Sequence, residues 1–548
     1  MSSYSTIETT KQVLLSAFEN NLPVLPEVRA KGLEYVDFLG DSSEPLIPIV
    51  LKAHESFAAL KALEGIIAVA LCKERFGLDQ DLKASVNCNH AALFPAMSFL
   101  STADDLPKWN PEMRKKIVDT DLNHVYSNVY RRMLTNIYRT KEGRFYHLHA
   151  SLNATPTLEA LGLPPYDEER NEYQAAQKVI AEHTQQLTTD ELEAIIRTIK
   201  EAGSPCLTRE EFLATSHGKH ISSKPLFELD QLESTSPPLK LSPDGPNILS
   251  GVKILDLTRV IAGPVITRTL AEYGAQVLRV TSRNLPDQSY YAVDFNFGKR
   301  TINLDLKSQE GRQAFENLLE DVDVIVDGYR PGAIAKLGYG PNDLLKRFAG
   351  KRGFVYVKES CYGEGGEWSD RSGPGWQQIS DSVSGVSWAN GKALGLEEPV
   401  PPPFPLADFG AGELGCIATL NALHHRLTKG GSYFTSISLV KYNDWLMSLG
   451  SYSEPLWNSM VTAHGQDIRK LRHNSNFDRV GLAAISSIQR LYSHLWNEPD
   501  FLHEAAKTPF GAVKTQSPVV RIEPYKTATR GWLNVTRPAG YDHPPKWS

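Results

Sequence analysis

The sequence predicts an α/β fold built on an open parallel sheet with helices on both faces. Three observations predict it. From Val252 to Val357, short apolar strand-like runs alternate with segments of helical period. A stretch rich in Ser and Pro, from Glu233 to Ser250, separates this region from what precedes it. The chain has 548 residues, too many for one ordinary core, so two or three domains are expected.

Residues 1 to about 50 read as partly helical and amphipathic, with Lys11 to Leu22 the clearest stretch. Phe57 to Leu71 is small and apolar on a helical period, and Lys73 to Gly77 closes it, with Gly77 as C-cap. Ala84 to Cys88 predicts a short strand, followed by an apolar helix near Ala91 to Leu100. Offset by 351 residues, Arg75 falls on Arg426, Ser85-Val86 on Ser436-Ile437, and Phe57 on Asp408. The register holds without gaps through the strand, so the segment reads as a diverged internal copy lacking the carboxylate. Two apolar helices followed by strands can also look alike without kinship.

Between 124 and 230 the pattern is mixed. Arg144 to His149 alternates like a strand, Thr157 to Leu161 starts a helix, and Thr189 to Ala202 forms another, capped by Thr188 to Glu191. His147 and His149 share one strand face. Without a third ligand they read as structural or surface residues.

The alternating region then gives strands at Val252–Leu257, Ala275–Val280, Thr301–Leu306, Asp323–Val326 and Phe354–Val357. Helices are expected at Val265–Tyr273, ended by Gly274, at Ser308–Leu319, and around Ala333–Lys336. Ligands of such sheets bind beyond the carboxyl ends of the strands. Arg259–Gly263, Thr281–Arg283, Gly328–Arg330 and Ser360–Gly363 should therefore surround one crevice. The first turn, Arg259 to Pro264, lacks the GxGxxG spacing of a dinucleotide site, which argues against nicotinamide or flavin.

Composition excludes other classes. With 58 basic and 64 acidic residues the formal charge is −6, which gives no reason to expect nucleic-acid or membrane-surface binding. No apolar run is long enough to span a bilayer. Met1 to Thr10 is polar without a signal-peptide core, and Lys546-Trp547-Ser548 is no recognised address signal. The five cysteines are scattered without CxxC spacing, so neither metal site nor disulfide framework is expected. The chain reads as soluble and cytoplasmic.

Asp408 is the candidate chemical centre. It lies between the proline-rich Pro401–Pro405 and Gly410 and Gly412, ahead of an apolar helix from Leu414 to Leu423. A carboxylate where loop becomes helix suits a nucleophile or base, but taken alone the pattern more often marks an ordinary helix cap.

Four motifs carry a family resemblance: Gly251 to Pro264 (GVKILDLTRVIAGP), Gly274 to Val280 (GAQVLRV), Gly298 to Leu306 (GKRTINLDL) and Gly328 to Ala333 (GYRPGA). In this order they resemble the family III CoA-transferases, the group of formyl-CoA transferase, carnitine CoA-transferase and α-methylacyl-CoA racemase. Residues 251 to about 450 carry the resemblance, and residues 140 to 230 look like the family's smaller domain. The resemblance implies a Rossmann-like CoA-binding domain plus a smaller α+β domain, in a tandem form with a degenerate first copy. The implied division is a helical region with a relic of the first copy (1–123), a small α+β domain (124–232), a linker (233–250), the CoA-binding and catalytic domain (251–453) and a C-terminal extension (454–548).

The implied activity is acyl-CoA:carboxylate CoA transfer, with acyl-CoA and an organic acid as substrates and no metal. Asp408 occupies the place of the family's nucleophile. It would form an acyl anhydride, then an aspartyl-CoA thioester, in a site that excludes water. The carried-over CoA contacts are Arg259, Ile261 and Ala262 at the first turn, Ser282 and Arg283 at the phosphate, and Arg300 and Leu304 in the nucleotide cleft. Gly328, Tyr329, Arg330 and Lys336 follow the pantetheine or phosphates. Family members are interlocked dimers, so a homodimer or a pseudo-dimeric monomer is expected.

Departures from the pattern narrow the chemistry. The racemase branch uses a His and an Asp, whose positions fall near Cys361 and on Gln377, so racemisation by that route is disfavoured. Ile261 replaces the Gln of formyl-CoA transferase, which argues for a different acyl pocket. No glycine run matches that enzyme's covering loop, so Trp376, Trp388 or Gly363–Gly366 would exclude water. An acyl-CoA thioesterase, a racemase-like CoA enzyme and a catalytically inactive CoA-binding protein are the alternatives.

Overall fold

The computed structural model describes residues 4–19, 22–78, 81–108, 110–242, 244–371, 375–498, 500–523 and 532–547. The chain opens with α1 (Thr6–Glu19), then the long α2 (Ala53–Phe76) and the short β1 (Lys83–Asn87). Gly77 closes α2 at φ 61°, the left-handed conformation that glycine adopts without a Cβ penalty. The helix expected near Ala91 to Leu100 is broken into two short α-helical pieces around a 3-10 turn at Phe94–Ala96, because Pro95 cannot donate within a continuous helix.

A smaller three-stranded antiparallel sheet contains β2 (Phe145–Leu148), with α3 (Tyr173–Thr184) and α4 (Thr189–Ile199) packed beside it. β2 is buried on both faces rather than alternating. Thr188 and Glu191 form the expected capping box, and α4 stops at Ile199 as Lys200 turns left-handed. α3 carries no sharp cap signal, and the sequence pattern does not reveal it.

Among the described residues the main sheet has seven strands. They are β3 (Glu228–Glu233), β4 (Lys253–Leu257), β5 (Gln276–Thr281), β6 (Lys299–Asn303), β7 (Val324–Asp327), β8 (Val355–Ser360) and, further on, β9 (Ser432–Ser438). Their order is β6-β5-β4-β7-β8-β9-β3, all parallel except β3, which runs antiparallel along β9. β3 lies just before the linker, and its polar sequence hides an edge strand. The strand expected at Thr301–Leu306 starts two residues earlier and ends at Asn303. The helix expected at Ala333–Lys336 is a 3-10 turn, Ala335–Leu337.

The crossovers are helical: α5 (Ala262–Glu272) after β4 and α6 (Gln309–Leu319) after β6. α5 begins at Ala262, so the Ala262-Gly263-Pro264 turn is its first turn, with Pro264 near the N-terminus where no donor is lost. Buried Lys299 of β6 pins that turn: its Nζ reaches Asp256 Oδ2 at 2.9 Å, Thr267 Oγ1 at 2.7 Å and the Pro264 carbonyl at 2.9 Å.

Between β8 and β9 come α7 (Gln377–Ser384) and α8 (Leu406–Thr428), and α9 (Leu439–Ser448) follows β9. α8 is buried almost throughout, packed between α2 and α5. A Cβ on Gly412 would stand 2.8 Å from the Ala262 carbonyl and 2.7 Å from Val265 Cβ, so the glycine sets how closely α8 approaches α5. Residues such as Leu414, Ile417 and Leu420 are fully buried there, each contributing about 2 kcal/mol of apolar burial.

Candidate active site

The chain lays down β4, β5 and β6 in one direction, then returns to place β7 on the other side of β4. The loops after β4 and β7 therefore diverge and leave a crevice at this topological switch point. A cavity of about 780 Å³ opens there. Its walls include Arg259, Ile261 and Ala262 after β4, Ser282 after β5, Leu304 after β6, and Gly328, Tyr329 and Arg330 after β7. Glu359, Ser360 and Cys361 at the end of β8, Trp376 before α7 and Asp408 on α8 complete its lining. Ser151, Asn153 and Glu201 enter from the smaller sheet region.

The first loop is strained. Val260 has φ 67°, a left-handed conformation that a β-branched residue adopts only under constraint. Arg259 is held beside it, donating from Nη1 to the Pro286 carbonyl at 2.9 Å, with its guanidinium 5.0 Å from the Tyr329 ring centroid. Asp327 fixes the facing loop. Its carboxylate accepts the Tyr329 backbone N–H at 2.9 Å and the Tyr356 hydroxyl at 2.9 Å, and pairs with Lys358 at 3.1 Å. Lys358 also donates to the Tyr329 carbonyl at 2.5 Å.

Asp408 is the third residue of α8, inside its first turn rather than just ahead of it. Its backbone N–H donates to Gln377 Oε1 at 2.7 Å. Gln377 Nε2 in turn reaches both oxygens of Asp381, at 2.9 and 2.8 Å, and Asn443 Nδ2 donates to Asp381 at 2.9 Å. Burial raises the Asp408 carboxyl well above the usual carboxylate range, and the negative charges of Glu359 and Asp381 raise it further. Burial pushes Glu359 up to about 7, opposed by Lys358 and assisted by Asp327. Burial likewise takes Asp381 to about 7, although its bonds from Asn443 and Gln377 favour the ionised form.

His147 and His149 are buried behind this wall and are not surface residues. His149 stacks on Trp376 at 4.7 Å, and His147 Nδ1 meets Ser382 Oγ at 3.0 Å. Desolvation holds both imidazoles neutral, His149 at about 3. Trp388 does not line the cavity. It packs on Phe145 and donates to the Cys206 carbonyl at 3.0 Å.

The profile of CoA-transferase family III matches residues 249–479. An acetyl-coenzyme A transferase of Hypoxylon pulicicidum is 36% identical over 472 residues, 83% of this chain and 79% of that relative. The chain belongs to CoA-transferase family III. An acyl-CoA transferase of Gibberella moniliformis is 33% identical over 425 residues, covering 75% of this chain and 73% of its own. The α-methylacyl-CoA racemase of Mus musculus is 30% identical over 224 residues, 40% of this chain and 55% of its own.

Of the CoA contacts expected of a family III chain, Arg259, Ile261, Ala262, Ser282, Leu304, Gly328, Tyr329 and Arg330 line the cavity with Asp408. Arg283, Arg300 and Lys336 do not. Arg300 is drawn to the C-terminal tail instead: its Nη1 donates to the Lys546 carbonyl at 2.8 Å, and its Nε faces Asp542 at 3.5 Å. The same tail covers the free edge of β6 through Thr301, whose N–H donates to Asp542 at 2.7 Å. Sequence reasoning missed Lys307, Asn153 and Glu359. A charged residue at the carboxyl end of a predicted strand was the available signal for Glu359, one position before the crevice segment begun at Ser360.

Among the described residues all five cysteines are free and buried, and no helix is long and apolar enough to cross a membrane.

Proposed function

We propose that this chain is an acyl-CoA:carboxylate CoA-transferase with Asp408 as its nucleophile. One observation carries the reading: the Asp408 side chain lines the same cavity as the switch-point loops after β4 and β7. The relatives named for acetyl-CoA and acyl-CoA transfer support the reaction class.

In this reading an Asp408 carboxyl oxygen attacks the thioester carbonyl of a donor acyl-CoA, forming a mixed anhydride as the carbon–sulfur bond breaks and CoA is released. The CoA sulfur attacks the aspartyl carbonyl, releasing the donor acid and leaving an aspartyl-CoA thioester. The acceptor carboxylate attacks that thioester, CoA leaves again, and its attack on the acceptor's acyl carbon regenerates Asp408. Arg259 and Arg330 supply charge for the phosphates of CoA, and Ser282 supplies a hydroxyl. Trp376, buttressed by His149, shields the reacting end from water.

The pocket disfavours racemisation. Gln377 spends its amide on Asp408 and Asp381, and burial raises the Cys361 thiol. The elements also support a diverged first copy. Shifted by 351 residues, α2 covers 404–427 against Leu406–Thr428 for α8, and β1 covers 434–438 within Ser432–Ser438 of β9.

Trapping tests the nucleophile. Incubation with acetyl-CoA or succinyl-CoA followed by borohydride or hydroxylamine should modify Asp408, read by peptide mass. A chain that exchanges CoA between acids with no modification at Asp408 would refute the assignment.

A further inference from the structure

We propose that Glu359 is a second catalytic carboxylate of this site, relaying one proton between Asp408 and the sulfur of CoA. The inference rests on the reading of Asp408 as nucleophile and adds a group that reading leaves unused.

Glu359 stands at the penultimate position of β8, where the strand delivers its carboxylate into the cavity that Asp408 lines. It lies over the backbone of the β7 loop: a Cβ on Gly328 would come within 3.1 Å of Glu359 Oε2. Gly328 also lines the cavity, so the glycine opens a path along which a thioester chain can pass beside this carboxylate. The charged and titratable groups facing Glu359 are Asp408 on α8, Cys361 just beyond β8, and the Lys358–Asp327 pair. Lys358 is committed to Asp327 and to the Tyr329 carbonyl, so it does not neutralise Glu359 outright.

Two carboxyls in one low-dielectric cavity do not ionise independently, and the pair holds a proton that isolated acids would have lost. Asp408 is the more deeply buried, Glu359 the more open to the cavity, so the resting proton sits on Asp408 and Glu359 is the base. As Asp408 oxygen bonds to the thioester carbon, its O–H proton passes to Glu359. When the carbon–sulfur bond breaks, Glu359 gives that proton to the departing thiolate, and CoA leaves as the neutral thiol. For CoA to attack the anhydride, the proton returns from sulfur to Glu359 as the sulfur–carbon bond forms and the donor acid departs as carboxylate. The release of CoA to the acceptor repeats the exchange. One proton serves every step, and no other co-reactant is needed.

The test is a single-turnover measurement of CoA thiol release and Asp408 trapping from acetyl-CoA, at pH 5.5 to 9, on the parent, Glu359→Gln and Glu359→Asp, with CoA binding measured by calorimetry. Glu359→Gln should slow thiol release about 100-fold and remove the ionisation near neutral pH from the profile, with CoA binding retained. Glu359→Asp should recover part of the rate and restore a pH dependence. A Gln variant with the parent's rate and profile overturns the relay. Loss of CoA binding in both variants also overturns it, because Glu359 would then be a structural residue. A parent that shows no Asp408 adduct refutes the nucleophile itself, an outcome distinct from a normal adduct in an unaffected Gln variant.

Discussion

The side-chain oxygen of Gln377 accepts the backbone N–H of Asp408 at 2.7 Å. That N–H belongs to the first turn of α8, where helix donors lack partners and no side-chain N-cap is present. Gln377, on α7, thus does from a distance what a capping residue does locally, and Asp381 and Asn443 hold it in place.

Gln377→Ala should therefore loosen Asp408 without touching the loops after β4 and β7. The expected result is a loss of about 1–3 kcal/mol in stability and a fall of roughly 10- to 100-fold in kcat. CoA affinity should be unchanged. Denaturant unfolding, steady-state kinetics and CoA titration check it; full activity in the variant would remove Gln377 from the positioning chain.

Asp408→Asn should lower kcat by about 10³-fold or more. It should also stabilise the fold at alkaline pH. The folded carboxyl is raised above its unfolded value, so it binds a proton more tightly when folded. Its contribution is fully present at low pH and is lost as pH rises through the folded value. The gain in Tm for the Asn variant should be larger at pH 8 than at pH 4, and the reverse ordering would contradict the burial argument.

His149 has the opposite sign. Its imidazole is depressed to about 3 from an ordinary 6.5, mainly by desolvation. The unfolded chain binds the proton first, so stability is complete above about 6.5 and declines as pH falls toward 3. His149→Phe keeps a ring against Trp376 and should flatten the fall in unfolding free energy between pH 7 and pH 4. An unchanged slope would show that other groups dominate acid unfolding.

Lys61 on α2 reaches Glu413 on α8 at 2.6 Å and Glu64 at 2.8 Å, all three buried. Removing the cation leaves two buried acidic side chains in the helix interface. Lys61→Met should cost about 3–5 kcal/mol, and adding Glu413→Leu should recover part of it. Equal stability of the single and double variants in urea would argue against coupling across the helices.

Arg330 lines the cavity and Arg300 is held by the tail. Arg330→Ala should raise KM for acyl-CoA about tenfold, the worth of one charge-assisted contact. Arg300→Ala should leave KM nearly unchanged and expose the Thr301 edge to faster amide exchange. A large KM effect from Arg300→Ala would place the nucleotide on the other side of β6.

The sequence alone determined the five consecutive strands β4 to β8 of the main sheet, the helices with clear caps such as α4, the four crevice loops, and a carboxylate at the head of a long apolar helix. Each of these is written in bonds and burial that close within a few residues, so local period and capping reveal them. Tertiary structure decided what fills the crevice. Arg300 left it because its partner lies 246 residues further along the chain. Glu359 and Asp408 share one cavity only because β8 ends where α8 begins in space. Gln377 caps Asp408 from another helix, 31 residues away. β3, whose polar sequence gives no strand alternation, became an edge strand because β9 offered it unpaired backbone. Such pairings depend on which strand ends converge, and no window of local sequence contains that information.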